Sequence, residues 1–369
     1  MGKSLKIIVN VIPLVGIKTG IGRYIEGLYT ELEKFSGLDI YYFDGCKIYR
    51  HLSDIPSVPM TAKLSKIFWK IPPYFSFLLR LLLHFRRELI FRKLSQKFDL
   101  YHETGFFPFV CKIPVVFTLH DLSLMRFPSW HPKERVFYFN FFFNRRLNIV
   151  THIMTVSYFI RHEISYYLNW PLNSISVIYP GYNAFLFYPR PRNEIKKVCQ
   201  KYNILTEYYL FVGTGDPRKN FSLLQRAAGK LKYPLVTVGW SGWHSFQQSS
   251  KILATGYLSD EDLACLYSGA RALIFPSLYE GFGLPPLEAM ACGCPVVLAP
   301  CASLPEVGGE AAIYLENPQD ESSLLEYLNL LEDSYMHLFY KTKSVRQARQ
   351  FSWKKAAQKT RSIFLELTK

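Results

Sequence analysis

The chain has 369 residues, 49% of them apolar, enough to bury a core in each of two domains, since single cores rarely grow past about 250 to 300 residues. Its net charge of +15 favours anionic partners such as nucleic acid, anionic lipid or phosphorylated small molecules. The seven cysteines are scattered without a C-x-x-C pair; they argue against a disulfide framework or zinc site and read as reduced, buried side chains of a cytoplasmic protein.

The amino-terminal MGKSLKIIVNVIP reads as a buried strand, its apolar run too short for a signal peptide and without the Ser or Thr a myristoylation motif wants. LVGIKTGIGRYIEGLYTELEKF comes next as a Gly-rich loop and then an amphipathic helix, with Tyr24, Leu28 and Leu32 on one face. The loop's glycines do not follow G-x-G-x-x-G, so a dinucleotide fingerprint fails on spacing. Close approach to a ligand and a plain turn both stay open. Residues 63–98 are basic and aromatic; their longest apolar stretch, YFSFLLRLLLHF, carries Arg80 and falls short of the roughly 18 residues of a spanning helix. PVVFTL is a strand that ends at His120 and Asp121. An imidazole there either serves the fold or hydrogen-bonds a hydroxyl near a reaction centre. HIMTVS and SISVIYPG are strands around the helix RHEISYYL, and residues 182–205, with Pro189, Pro191 and a polar run, read as the domain boundary.

In the second half YYLFVGTG, PLVTVGW, ILATGYL, RALIFPS and PVVLA are strands, and FSLLQRAAGKL and SDEDLACLYSGA are helices, the latter capped by Ser259. The alternation predicts α/β domains with parallel sheets, whose ligands bind at the carboxyl ends of the strands. DED at 260–262 mimics a D-x-D metal motif, but it is taken up by this helix start, and no other set of hard oxygen ligands stands out.

Two strand ends carry most of the chemistry. In EGFGLPPLE, 280–288, Pro285 and Pro286 suit the first turn of a helix, which places Glu280 on the loop and Glu288 about one turn inside. Gly281 and Gly283 allow close backbone approach, and the N–H groups of Phe282, Gly283 and Leu284 suit an anion, with a carboxylate on either side to accept sugar or ribose hydroxyls. Taken singly, Glu288 could equally complement the helix dipole and Glu280 be solvated. In GTGDPRKNFSLL, Arg218 and Lys219 precede a helix and form either a diphosphate clamp or a solvated basic turn.

EGFGLPPLE resembles the E-x7-E motif of the retaining glycosyltransferases of family 4, GTGDPRKN its strand-end turn with a basic pair, and TGIGRY the amino-terminal glycine loop of its mannosyltransferase-like members. VVFTLHDLSLMRFPSWHP, VSYFIRHEI, GYLSDEDLACLYSGA and FSWKKAA are similar to further stretches in the same order, so that the resemblance covers nearly the whole chain outside residues 40–100. It implies a GT-B architecture, with two Rossmann-like domains facing across a cleft. Residues 1–183 would form the acceptor-side domain, 184–350 the nucleotide-sugar domain and 351–369 a helix returning to the first.

Carried over by position, Arg218 and Lys219 would neutralise the diphosphate and Glu288 would hold the ribose. Glu280, with the N–H groups of Phe282 and Gly283, would hold the sugar, and Gly20 and Gly22 would approach the donor. His120 would contact the sugar near its anomeric carbon, and Tyr257 would lie near the base. Thr214 stands where many members have an Arg, which shifts weight onto Lys219. The implied reaction transfers a hexose, mannose from GDP-mannose before rhamnose, with retention, without metal or cofactor, onto a glycan or polyprenyl-linked acceptor of surface-polysaccharide or lipopolysaccharide synthesis. Residues 63–98 would bind an anionic membrane surface peripherally, at the inner face of the cytoplasmic membrane, or form an ordinary helix pair with a solvated face. A sugar-nucleotide epimerase or phosphorylase on the same architecture is the enzymatic alternative; the former would release no glycoside. A basic nucleic-acid binder is the other, but it leaves EGFGLPPLE without a role and shows no recognised module, so nucleic acid is not expected.

Overall fold

The computed structural model describes residues 4–15, 19–56, 73–239 and 251–369. The chain forms two units, Met1–Gly181 with Trp353–Lys369, and Tyr182–Ser352. The first is built on β1 (Leu5–Asn10), β2 (Leu38–Phe43), β3 (Ile48–Tyr49), β4 (Leu100–Glu103), β5 (Val115–Leu119), β6 (His152–Thr155) and β7 (Ile175–Val177), in the order β3-β2-β1-β4-β5-β6-β7. Its strands pair in parallel except β2 with β3. Helices α1 (Gly20–Leu32), α2 (Pro73–Leu94), α3 (Lys133–Leu147) and α4 (Tyr158–Leu168) belong to it. Ile7, Ile8 and Val9 of β1 and all of β5 are buried, the continuous apolar runs that a sheet covered on both faces requires.

The second unit carries β8 (Tyr209–Val212), β9 (Leu235–Val238), β10 (Ile252–Gly256), β11 (Ala272–Phe275), β12 (Val296–Leu298) and β13 (Ile313–Tyr314), all parallel, in the order β10-β9-β8-β11-β12-β13. Its helices are α5 (Arg192–Lys201), α6 (Phe221–Ala227), α7 (Asp260–Gly269), α8 (Leu284–Ala291), α9 (Glu321–Leu330) and α10 (Ser334–Ala348). In both sheets the winding reverses beside the first strand, between β1 and β4 and between β8 and β11. At such a switch point the flanking connections leave to opposite faces and open a crevice at the carboxyl ends of the strands.

Several local expectations change. Gly20 and Gly22 are not in a loop but in the first turn of α1, because Thr19 caps the helix and its hydroxyl accepts from the Gly22 N–H at 3.3 Å. Residues 16–18 of the expected loop lie outside the described residues. The segment read as a boundary, 182–205, contains α5, which packs on α7: a Cβ on Gly269 would stand 2.6 Å from Ile195 Cγ2. Strands β2, β3, β4 and β13 have no counterpart in the sequence reading; β3, β4 and β13 are only two to four residues long, whereas β2 has six, between the turn residues Gly37 and Asp44-Gly45. Ser259 caps α7, accepting from the Asp262 N–H at 3.1 Å. Of the basic aromatic segment, Lys63, Lys66, Trp69, Lys70 and the side chains of Tyr74 and Phe75 lie outside the described residues, and the remainder is α2 with a short turn. No described helix is long and apolar enough to cross a membrane.

The last helix, Trp353–Glu366, docks on α1. The Trp353 indole lies directly on Gly27, where an added Cβ would stand 2.1 Å from Cε2. Alanine inside a helix is ordinarily better than glycine by about 1 kcal/mol. Here the overpacking, which costs about 1–3 kcal/mol, outweighs that gain. Gly27→Ala should therefore lower Tm in thermal denaturation, and Trp353→Leu in the same background should recover part of the loss; a raised Tm for Gly27→Ala alone would refute the contact.

Candidate functional site

The switch point of the second sheet gathers most of the sequence-predicted residues. After β8 the chain turns at Asp216, whose carboxylate caps the 3-10 turn Pro217–Lys219, accepting from the Arg218 N–H at 3.1 Å and from Arg218 Nε at 3.1 Å. The turn ends at Asn220, held in the left-handed region at φ 53° while its Nδ2 donates to the Pro318 carbonyl at 2.6 Å. This geometry buries Lys219, whose ammonium sits 2.5 Å from Glu280 Oε1 and 4.7 Å from the centre of the Phe275 ring. Burial holds the lysine below its ordinary pKa, while Glu280 pulls the other way. The Leu278 N–H donates to the Arg218 carbonyl at 2.7 Å, tying the loop after β11 to the loop after β8.

Gly283 must be glycine: its φ is 116°, and a Cβ would stand 3.0 Å from Leu304 Cδ2. It precedes α8, whose first turn holds Leu284, Pro285 and Pro286, where a missing N–H costs no helical hydrogen bond. Glu288, one turn on, is buried and accepts from the Tyr267 hydroxyl at 3.5 Å. Glu280 and Phe282 are also buried, and their carbonyls lie 2.9 and 2.8 Å from the Ser303 hydroxyl, which braces the loop from below. Lys219, Glu280, Phe282, Gly283, Leu284 and Glu288 thus occupy one locality, with Arg218 at its edge held by Asp216. Tyr257 does not join it. It is 59% exposed at the end of β10, two strands away from β8.

In the first unit the ends of β1, β4 and β5 form a second polar cluster. His120 Nε2 is 3.2 Å from the Thr104 carbonyl, and since a carbonyl only accepts, that nitrogen carries the proton and Nδ1 is left as an acceptor. Burial pushes His120 down to about 4, so the ring is neutral near pH 7. The edge of the Tyr24 ring packs against it at 4.8 Å. Beside it lies a residue the sequence reading missed. Glu103 is fully buried, and its carboxylate accepts from both directions: Asn10 Nδ2 at 2.9 and 2.8 Å, the Gly105 N–H, and the Tyr101 hydroxyl. Thr104, whose carbonyl holds His120, in turn donates its hydroxyl to the Asn10 carbonyl. Burial raises Glu103 to about 7 against the pull of these donors. The available signal was that Asn10 and Glu103 are polar residues closing buried strands; Ser303 carried none. Gly20, on the exposed start of α1, would carry a Cβ without any described atom within 4 Å, whereas a Cβ on Gly22 would touch Leu14 Cδ2 at 3.6 Å. Among the described residues no group of three or more His, Cys, Asp or Glu is placed to hold a metal ion.

Comparisons with known proteins agree with this geometry. The family model of Glycosyl transferases group 1 matches residues 200–350, and that of Glycosyltransferase Family 4 matches residues 18–184. The chain is 32% identical to O-antigen chain mannosyltransferase B of Escherichia coli, over 96% of this chain and 98% of the relative. It is 27% identical to an O-antigen chain mannosyltransferase of Salmonella typhimurium, over 86% and 88% of the two chains. Among solved structures, the sucrose-phosphate synthase of Thermosynechococcus elongatus superposes with a TM-score of 0.73 at 20% identity, covering 98% of this chain and 99% of that one, which supports the GT-B fold. With both family models matched in order and a relative 32% identical over nearly its whole length, the chain belongs to the group 1, family 4 glycosyltransferases and is a nucleotide-sugar-dependent hexosyltransferase of GT-B fold.

Proposed function

We propose that the chain transfers mannose from GDP-mannose to a glycan or polyprenyl-linked acceptor during lipopolysaccharide O-antigen synthesis, with retention at the anomeric carbon and without a metal ion. The observation that carries this reading is the buried Lys219–Glu280 pair beside the start of α8. An ammonium in that environment is costly to keep unless an anion shares it. The two O-antigen mannosyltransferases support the sugar and the process. In this reading the donor's diphosphate takes Lys219 from Glu280, with Arg218 adding charge from the rim. The freed Glu280 carboxylate accepts from the sugar hydroxyls, and the N–H groups of Phe282 and Gly283 donate to their oxygens. Glu288 holds the ribose.

As the sugar–phosphate bond breaks, negative charge grows on the leaving diphosphate, and Lys219 and the end of α8 stabilise it without reorganising. The leaving phosphate takes the proton of the acceptor hydroxyl, which attacks the oxocarbenium-like carbon from the same face. In the first unit, neutral His120 offers Nδ1 to a sugar hydroxyl, and Gly20 leaves the start of α1 bare for ligand approach, with Gly22 packed behind it on Leu14.

The exposed part of α2 supports peripheral attachment to an anionic membrane at the cytoplasmic face. Leu82 and Leu89 are 60% and 61% exposed, Leu78, Leu79 and Phe85 are exposed beside them, and Arg80, Arg86, Arg92 and Lys93 are exposed on the same helix. Phe137 and Phe141 of α3 are exposed too, with the Phe137 ring 4.9 Å from that of Phe77. Apolar side chains ringed by cations suit an acyl boundary under phosphate headgroups.

A thermal-shift screen of GDP, UDP, ADP and dTDP and their sugars should single out GDP and GDP-mannose, with about 2.7 kcal/mol of added stability at a hundred times Kd, and with no change in EDTA. Lys219→Ala should erase that shift and lower kcat/KM by about 10²–10³-fold. No shift with any nucleotide would sink the donor assignment. Glu103 gives a pH test. Its protonation removes an acceptor from the set that holds Asn10, Tyr101 and Gly105, so kcat should fall as pH drops through about 7. Glu103→Gln should be slower and lack that acid limb; an unchanged limb would assign it elsewhere. Because the folded value lies above the ordinary 4.5, this carboxyl's contribution to stability is full below about 4.5 and is lost as pH rises through about 7, a loss the Gln variant should not show. Finally, neutral replacements of Arg86, Arg87, Arg92 and Lys93 should weaken sedimentation with phosphatidylglycerol vesicles by a hundredfold or more, at about 1 kcal/mol per charge; unaltered sedimentation would exclude α2 as the membrane seat.

A further inference from the structure

The opposite end of the second sheet holds a cavity of about 570 Å³ that the donor reading does not use. Arg271 immediately precedes β11 and Glu207 lies just before β8, so the cavity opens at the amino ends of the strands, whereas Lys219 and Glu280 lie past their carboxyl ends. Its wall carries Arg190, Arg192, Lys196, Arg271 and Lys341 against a single lining carboxylate, Glu207. Two of these cations are anchored. Arg190 donates to the Leu186 carbonyl at 2.7 Å and to Glu194 at 3.3 Å, and Arg271 donates to the Leu331 carbonyl at 2.6 Å and stands 3.6 Å from Glu207 and 4.0 Å from Glu332, which lies outside the lining. The other three, Arg192, Lys196 and Lys341, have no ion pair among the described residues.

Two further observations point to missing negative charge. Arg190 Nε, Arg271 Nε and His337 Nε2 are buried without a hydrogen-bond partner. Buried polar groups are rarely left so unless an ion or water belongs with them. His337, which also lines the cavity, is held below its ordinary pKa by burial and then by Arg271 and Lys341, the mark of a local positive field. Cations converging on a concavity, with few carboxylates to answer them, raise the local concentration of anions, and guanidinium groups match phosphate oxygens in geometry.

We propose that this cavity is a second anion site that takes a phosphate-bearing ligand, distinct from the diphosphate clamp at the β8/β11 switch point. Arg190 and Arg271 form its fixed floor. Arg192, Lys196 and Lys341 are free to close on the phosphate, and the ligand would tie α5, α7 and α10 together at the amino edge of the sheet. Phosphate could arrive on a soluble compound or on a phospholipid headgroup.

The test is calorimetric titration of the full chain with inorganic pyrophosphate and, separately, with dihexanoyl phosphatidylglycerol below its micelle concentration. The variant Arg192→Ala/Lys196→Ala/Lys341→Ala removes the three unpaired cations and leaves every anchored side chain, the donor site included, in place. Pyrophosphate should bind the wild type with one equivalent more than the triple variant, and it should raise the Tm of the wild type by more than that of the variant. Binding of the lipid but not pyrophosphate, again lost in the variant, would assign the site to a headgroup. Equal stoichiometry and affinity in wild type and variant for both probes would overturn the proposal. Transferase activity at saturating donor serves as the folding control, since none of the three residues belongs to the donor site. A variant that retains this activity and loses one equivalent of anion separates this site from the nucleotide site, whichever donor that one takes.

Discussion

A parallel sheet covered on both faces leaves little room for polar side chains along its strands, so charge and hydrogen-bonding capacity collect at the strand ends. The second unit keeps to this closely, whereas the first also buries His102 inside β4, where the Thr118 and Tyr29 hydroxyls satisfy it. In the second, Val212, Phe275 and Leu298 end strands whose interiors are apolar, and the segments beyond the first two carry Asp216, Arg218, Lys219, Glu280 and Glu288. The reversal of winding between β8 and β11 keeps those loops apart enough to leave a crevice yet close enough for the Leu278 N–H to reach the Arg218 carbonyl. The Lys219–Glu280 pair results from that single bridge: it places a lysine from one loop and a glutamate from the other within ion-pair distance in a buried setting.

The pair also shows how the proposed donor site would stay intact without its donor. A lone buried ammonium would lose its proton or seek water, and a lone buried carboxylate would do the reverse. The ion pair holds both side chains in place. In the proposed reading a diphosphate arriving there would exchange one anion for another at Lys219 and release Glu280 for hydroxyl hydrogen bonds, the cost of desolvation having been met during folding. The first unit uses a different device. Glu103 and Asn10 form a neutral-donor, carboxylate-acceptor lattice that fixes the Thr104 carbonyl, and the carbonyl sets the tautomer of His120. One imidazole nitrogen is thereby committed to the fold and the other left as an acceptor.

Much of the second site was legible in the residue order. EGFGLPPLE announces a strand-end loop, a glycine that must adopt positive φ and a helix opened by prolines, and each of these is a local property that a few residues decide. The basic pair after GTGD was legible in the same way. The first site was less so. Glu103 and Asn10 are 93 positions apart and meet because β1 and β4 are neighbours across the reversal, a non-local pairing that periodicity does not express. Gly20 and Gly22 were read as loop because glycine weakens helices, and the Thr19 cap with the packing of Tyr24 and Ile25 overrode that propensity. The cationic cavity was invisible for a related reason: its charges come from 190–196, 271 and 341, segments with nothing in common along the chain.

The class of architecture, the alternation of strands and helices, the place of the glycine- and proline-rich strand-end turns and the family resemblance were all present in the residue order, because they depend on short-range patterns of apolar, glycine and proline residues. Which charges are paired and which are not was left to the folded arrangement. Lys219 could have been a solvated cation, Glu103 an ordinary surface acid and Lys341 one salt-bridged lysine among many. Burial and the neighbours brought by strand order made the first a shared ammonium, the second a carboxyl that titrates near neutrality, and the third an unanswered charge, since an ionisable group takes its character from the dielectric and the partners around it rather than from its place in the chain.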